Sequence, residues 1–251
     1  MAVVLVAYGY SPVKHARFKA FLKGAGIANE PVLLVENHPD GPPQKSLPQY
    51  WTFIQGSNRK FEFSGYQEGL EASKALRPER VYIFNDTLFA HHYLPGWAAL
   101  IRHSSKRLKP GVYGDPRLEP VQIDAKPLRI YASWHFALIG YEAQTAFKKA
   151  ISAVIDRFDS PIEDAVYQAY LTNYLEGSWL RGYTNPGLLH SEDHLKRKKH
   201  CIYAEHRLGR ALEEKGLLQA YPSRLYRLVR IMDRFLAVGR RVYKKIGKAN
   251  A

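Results

Sequence analysis

Cysteine is nearly missing from this chain. Cys201 is the only one among 251 residues, which excludes an internal disulfide and leaves nothing that argues for an oxidising compartment. No run of about 18 apolar residues occurs, so no segment reads as a membrane span. The opening MAVVLVAYGYSPVK has no basic residue ahead of its apolar stretch, the wrong order for a secretory signal. It reads as a buried strand, and a cytoplasmic location is the expectation. Internal repeats and low-complexity tracts are absent as well, which excludes repeat architectures.

Acids are also scarce: 23 Asp and Glu stand against 37 Lys and Arg, a net charge of +14. The imbalance is local. Between Pro222 and Ala251 nine basic residues face one acid, Asp233, so eight of the fourteen surplus charges lie in that tail. What the chain has in quantity is apolar residues (46%) and aromatics (13%), the composition of a packed globule with one large or two small domains.

The first half alternates. VVLVAY (3–8), PVLLVEN (31–37) and VYIFND (81–86) read as buried strands. HARFKAFLKGAG (15–26) and GYQEGLEASKAL (65–76) carry apolar residues at helical spacing, and HPDGPPQKSLP (38–48) is a loop. Such alternation predicts an α/β fold with a mostly parallel sheet flanked by helices. Further on, 93–108 turns helical in its second half, 127–140 is strand-rich, and 142–158 is a helix. DSPIEDAVYQAYLTNYLEG (159–177) reads as a helix opened by an N-cap and proline and closed by Gly177.

The densest chemistry lies in VYIFNDTLF (81–89), where an apolar strand ends in Asn85-Asp86-Thr87. Ligands of open α/β sheets collect at the carboxyl ends of strands. A carboxylate there can hold a divalent cation against phosphate oxygens, or simply cap the next helix. LLVENHPDG (33–41) puts Glu36 and Asn37 at the end of the second strand, in reach of a ribose or base. NRKFEFSGYQEGL (58–70) is a loop entering a helix, with small residues that permit close backbone approach.

In this order and spacing the three segments resemble family 2-like glycosyltransferases, in particular the bacterial rhamnosyltransferase and rhamnan-synthesis branch. The resemblance covers roughly residues 1 to 90. It departs at Glu36, where the family has Asp, at Gln67, where it has Asn, and at Phe84, where its metal motif has an acid or amide. It implies a GT-A-like catalytic domain over 1–190 and a helical, basic region over 191–251. It further implies transfer of a sugar from a UDP-, GDP- or dTDP-sugar to a hydroxyl of a lipid-linked or growing glycan, with inversion, in bacterial polysaccharide or lipopolysaccharide assembly.

Site residues follow from the same resemblance. Mn²⁺ or Mg²⁺ would sit at Asp86 with His190 completing its shell. The donor would meet Ala7, Tyr8, Glu36, Asn37, Phe63, Ser64, Gly65, Gln67 and Asn85, with Lys196 and Lys199 clamping the diphosphate. Trp134 and His135 would form the acceptor pocket. Asp164, or failing it Glu163, would deprotonate the acceptor, since an inverting transfer needs one base within hydrogen-bond reach of the attacking oxygen. Acids at a helix start also serve as plain caps.

From Ser223 on, Leu225, Leu228, Val229, Met232, Phe235, Leu236, Val242, Tyr243 and Ile246 keep a helical stripe flanked by arginines. Two fates are open to it: packing on its own domain, or lying in an anionic membrane surface on the cytoplasmic face of the inner membrane. A different class of function, a non-catalytic basic protein that binds nucleic acid or membrane, rests on the same tail. No nucleic-acid module supports the nucleic-acid branch.

Overall fold

A computed structural model describes the protein over residues 1–39, 47, 48, 50–123, 126–175 and 192–249. Seven strands form one mixed sheet in the order β3-β2-β1-β4-β6-β5-β7. They are β1 (Ala2–Ala7), β2 (Val32–Glu36), β3 (Trp51–Gln55), β4 (Arg80–Asn85), β5 (Gly111–Ile123), β6 (Lys126–Ile139) and β7 (Leu218–Ala220). The first four run parallel, β6 is antiparallel to both β4 and β5, and β7 returns parallel to β5. The expected α/β class, a mostly parallel sheet flanked by helices, is what the chain adopts.

Strand periodicity sorts the core into two layers, because alternate side chains leave opposite faces of a strand. Val3, Leu5, Val32, Leu34, Tyr82 and Phe84 join one cluster with Phe18, Phe21 and Trp97. Those rings come from α1 (Pro12–Ala25) and α4 (Leu94–Ser104). Val4, Val6, Leu33, Val35, Val81 and Ile83 join the other, under α2 (Glu62–Ser73), α5 (Tyr141–Asp156) and α7 (Glu192–Glu214). Both faces are covered, so the central strands are apolar throughout, as parallel strands must be.

Local signals set the boundaries. The Ser11 hydroxyl caps α1 by accepting from Lys14 N, Pro12 opens it, and Gly26 closes it with φ +73°. Helix α6 (Ala165–Tyr174) starts six residues later than the sequence suggests, because Asp164 is the cap that accepts from Tyr167 N. The predicted stop at Gly177 lies outside the described residues. Gly65 and Gly69 let α2 close on β1: a Cβ would stand 2.5 Å from Val6 Cγ1 at the first and 2.3 Å from Val4 Cγ1 at the second. Their smallness serves packing, which corrects the expectation that Gly65 makes room for a ligand.

A boundary at 190/191 does not separate two cores. Cys201, Ala204, Leu208, Leu212 and Leu218 belong to the same cluster as the strands, and β7 extends the sheet. The last helix, α8 (Arg224–Ala249), leaves large apolar side chains such as Leu228 and Phe235 exposed.

Two histidines are interred in this architecture. His135 and the Tyr221 hydroxyl share a hydrogen bond, as do His206 and the Tyr167 hydroxyl. Burial pushes both imidazoles down to about 3. With folded values below the unfolded 6.5 or so, their contribution is complete above pH 6.5 and is lost as pH falls from there toward 3. The slope approaches about 1.4 kcal/mol per histidine per pH unit. Urea midpoints should therefore drop between pH 7.5 and pH 5, and His206→Gln should remove its share of the slope. A flat profile would contradict the buried, uncharged state of both rings.

Candidate functional site

Three neighbouring strands, β2, β1 and β4, end side by side at one rim of the sheet, and the backbone is sutured there. Asn37 N donates to Ala7 O at 2.8 Å and Asp86 N to Val6 O at 3.1 Å. The β1–α1 turn is held from below by Glu36, which is fully buried. Its Oε1 accepts from Gly9 N (2.9 Å) and His38 N (2.8 Å), and its Oε2 accepts from Tyr10 N (2.6 Å). A buried carboxylate is costly unless hydrogen-bonded, and these three donors supply the compensation. Both oxygens are engaged, so Glu36 is an internal clamp and not the ribose contact the sequence suggests.

What the turn presents to solvent is different. Tyr8 is 54% exposed, and its ring meets His38 edge-on at 5.0 Å. Asp86 Oδ2 accepts from Lys14 Nζ at 2.7 Å and from Tyr8 N at 3.2 Å. Lys14 Nζ also donates to Tyr8 O at 2.9 Å. The Lys14 and Asp86 side chains keep 29% and 24% of their surface in solvent. An aromatic face, an ammonium and a carboxylate thus converge where the fold places ligands. Lys14 and His38 escaped the reading of the sequence. Only the Ser11–Pro12 helix start, which brings position 14 back over the strand ends, could have flagged the lysine.

The expected divalent cation does not fit this donor set. Asp86 is a single carboxylate already paired with an ammonium. No cluster of three His, Cys, Asp or Glu occurs among the described residues, and His190 lies outside them. Phe84, at the first position of the metal motif, is buried against His135 at a ring distance of 4.9 Å.

Several other expected contacts are structural. Ala7 and Phe63 are buried. Ser64 is buried too and donates to Phe61 O. Gln67 donates to Ser152 Oγ, and Asn85 donates to the Tyr66 hydroxyl while accepting from Thr87 N. Asn37 is buried and donates to Phe61 O. That bond steadies a loop in which Asn58 and Phe61 both take positive φ, 49° and 53°, strained for non-glycine residues.

Trp134 and His135 are 3% and 0% exposed. Trp134 stacks on His92 at 3.9 Å inside the core, so neither ring can receive an acceptor sugar. Lys199 donates to Thr172 Oγ1 and ties α7 to α6. Lys196 is exposed on α7, and no described contact brings it to the rim.

Asp164 and Glu163 line a second place, a cavity of about 960 Å³ walled by α5, the start of α6, and α7. Arg157, Tyr167, Tyr203 and Arg207 line it too. None of its lining residues comes from the ends of β1, β2 or β4. One loop lies between the two places: Lys60 is ion-paired with Asp159 beside the cavity, and Phe61 is held by Asn37 at the end of β2.

No protein-family model matches the chain, and no curated protein matches it either. Among solved structures it is similar to 2-C-methyl-D-erythritol 4-phosphate cytidylyltransferase from Thermus thermophilus. The identity is 16% and the TM-score 0.38, over 66% of this chain and 83% of that one. A likeness this distant transfers no role to any residue.

Clamp and presented residues should separate in experiment. Glu36→Gln weakens charged hydrogen bonds to the turn, so thermal unfolding should show a loss of about 1.5–3 kcal/mol. Tyr8→Ala should leave stability within about 0.5 kcal/mol, as surface changes do. A Tyr8 variant as unstable as the Glu36 variant would show the ring to be a packing element.

Proposed function

We propose that the protein is a glycosyltransferase whose sugar-nucleotide donor lies across the rim formed by Tyr8, Lys14 and Asp86. The observation that carries this reading is the Lys14–Asp86 pair at the joined ends of β1 and β4. An ammonium has three N–H donors. One goes to Asp86 and one to Tyr8 O, which leaves a third for a phosphate oxygen. Charge on a departing diphosphate is stabilised best by a cation fixed in advance, and Asp86 fixes this one. Tyr8 and His38 offer ring faces to a nucleobase.

In the transfer, the acceptor hydroxyl oxygen forms a bond to the anomeric carbon as that carbon's bond to the phosphate oxygen breaks. The bonding pair leaves on the nucleoside diphosphate beside Lys14, and the hydroxyl proton passes to a carboxylate. Asp164 is the proposed base, which requires the donor's sugar to extend from the rim past the Lys60–Phe61 loop to the cavity that Asp164 lines. Its cap uses Oδ1 alone, and Tyr167 and Tyr203 in the wall suit the ring faces of a glycan acceptor there.

Calorimetry with UDP, GDP and dTDP tests the donor site. Lys14→Met should weaken the preferred nucleoside diphosphate by about tenfold or more, the scale of one charge-assisted hydrogen bond of 1.5–3 kcal/mol. Because the ammonium supplies the charge, a chelator should leave the wild-type affinity unchanged. Absence of binding by all three, or an unaltered Lys14→Met variant, would end the proposal. Asp164→Asn should keep donor affinity and lose about 10²–10⁴-fold in turnover. Near-native turnover would remove that carboxylate from the mechanism.

A further inference from the structure

Helix α8 carries its apolar residues on two faces, and only one is used. The inner face is pinned to the domain by two buried acids. Asp115 accepts from the Tyr226 hydroxyl at 2.9 Å and from Arg230 Nη1 at 2.7 Å. Asp233 accepts from His92 Nδ1 (2.9 Å), Tyr93 N (2.6 Å) and Trp97 Nε1 (2.8 Å). Between them Val229 is buried, in the same core cluster as Trp97. Tyr226, Val229, Arg230 and Asp233 follow one another at helical spacing, so the orientation of the helix is fixed by a hydrogen-bonded seam.

At about 100° per residue, Leu228, Ile231, Met232 and Phe235 fall opposite that seam. They are 59%, 46%, 42% and 67% exposed, and Val238 continues them at 55%. Exposed arginines accompany the patch: Arg224 at the helix start, Arg227 and Arg234 along one flank. The helix runs on to Ala249, through a stretch whose sequence adds Arg240, Arg241, Lys244, Lys245 and Lys248 without an acid. No helix among the described residues is long and apolar enough to cross a membrane.

We propose that this outer face of α8 seats the protein on an anionic lipid surface, the apolar ridge entering the acyl boundary and the cations meeting the headgroups. Contiguous exposed apolar residues mark an interaction surface. The accompanying charge selects among partners: a basic flank beside an apolar ridge suits anionic lipid. A second copy of this chain would set the same cations against each other. Nucleic acid would pair with the arginines and leave the ridge in water. The seam adds what an isolated amphipathic helix lacks, since the buried acids hold the ridge outward before any lipid arrives. It also links the ridge to the rim, because His92 and Tyr93, which hold Asp233, follow Asp86 through the single turn-and-a-half of α3 (Thr87–His91). The inference stands apart from the proposed chemistry and needs no donor binding.

Flotation of the full chain with phosphatidylcholine vesicles, and with vesicles containing one quarter phosphatidylglycerol, tests it. Binding is expected to the anionic vesicles alone and to weaken with salt. Phe235→Glu and Ile231→Glu, both at exposed positions, should each lower partitioning about tenfold or more. Arg227→Gln and Arg234→Gln should cost about fivefold apiece, near 1 kcal/mol per cation. Circular dichroism serves to confirm that the variants fold. Three outcomes would overturn the proposal: equal binding of Phe235→Glu and wild type, no vesicle binding beside a salt-sensitive affinity for an oligonucleotide, or no vesicle binding beside a dimer that Phe235→Glu dissociates.

Discussion

Everything at the sheet rim depends on the grip of one carboxylate on three backbone N–H groups. Glu36 is buried at the end of β2 and holds Gly9, Tyr10 and His38. Releasing it toward a ligand would orphan three buried or half-buried donors. Each such loss costs about 1–3 kcal/mol, more than one ribose hydrogen bond returns. The magnitudes therefore decide its role in favour of the clamp. Because the turn is fixed, Tyr8 faces outward and α1 starts where Lys14 reaches back to Asp86. The candidate site is in this sense a product of the loop's internal hydrogen bonding.

The same residues show what a sequence can and cannot disclose. Strands β1, β2 and β4 were legible because both faces are buried, which makes them uninterrupted apolar runs. Strand β3 was not: WTFIQ follows a long loop and has a buried Trp51 followed by half-buried or exposed residues, too few apolar positions to set a period. Strand β7 is three residues long and exists because β5 offers it an edge. Site residues fared differently from elements. Glu36 and Asn85 stand at strand ends, where polar groups often meet ligands, yet one partner of each, Tyr10 N and the Tyr66 hydroxyl, is 26 and 19 residues away. Nothing local distinguishes a clamp from a contact. Trp134 and His135 were misread for the same reason, since burial is decided by α4 and by Tyr221, far along the chain.

The scarcity of acids in the C-terminal tail acquires a physical meaning once their places are known. Asp233 is the lone acid of that segment, and it is buried against His92, Tyr93 and Trp97. Burial alone would raise its pKa, and the bonds from His92 and Trp97, with that from Tyr93 N, outweigh this and hold it below the usual value. A charge that keeps ionised inside the domain leaves only cations among the described charged residues on the exposed side of α8. Had the acid lain on the outer face, it would have screened the arginines and spared the domain a buried charge.

One apolar stripe in the sequence thus resolves into two faces separated by half a turn. Leu225, Tyr226 and Val229 close the core over α4, and Leu228, Met232 and Phe235 remain in water. A helix that merely covered its own domain gains nothing from the second set, because the hydrophobic term of about 25 cal/mol per Å² accrues only to apolar surface removed from water. Five large apolar side chains on one solvent face therefore add no burial to the isolated fold. They form a contiguous exposed patch of the kind that marks an interaction surface.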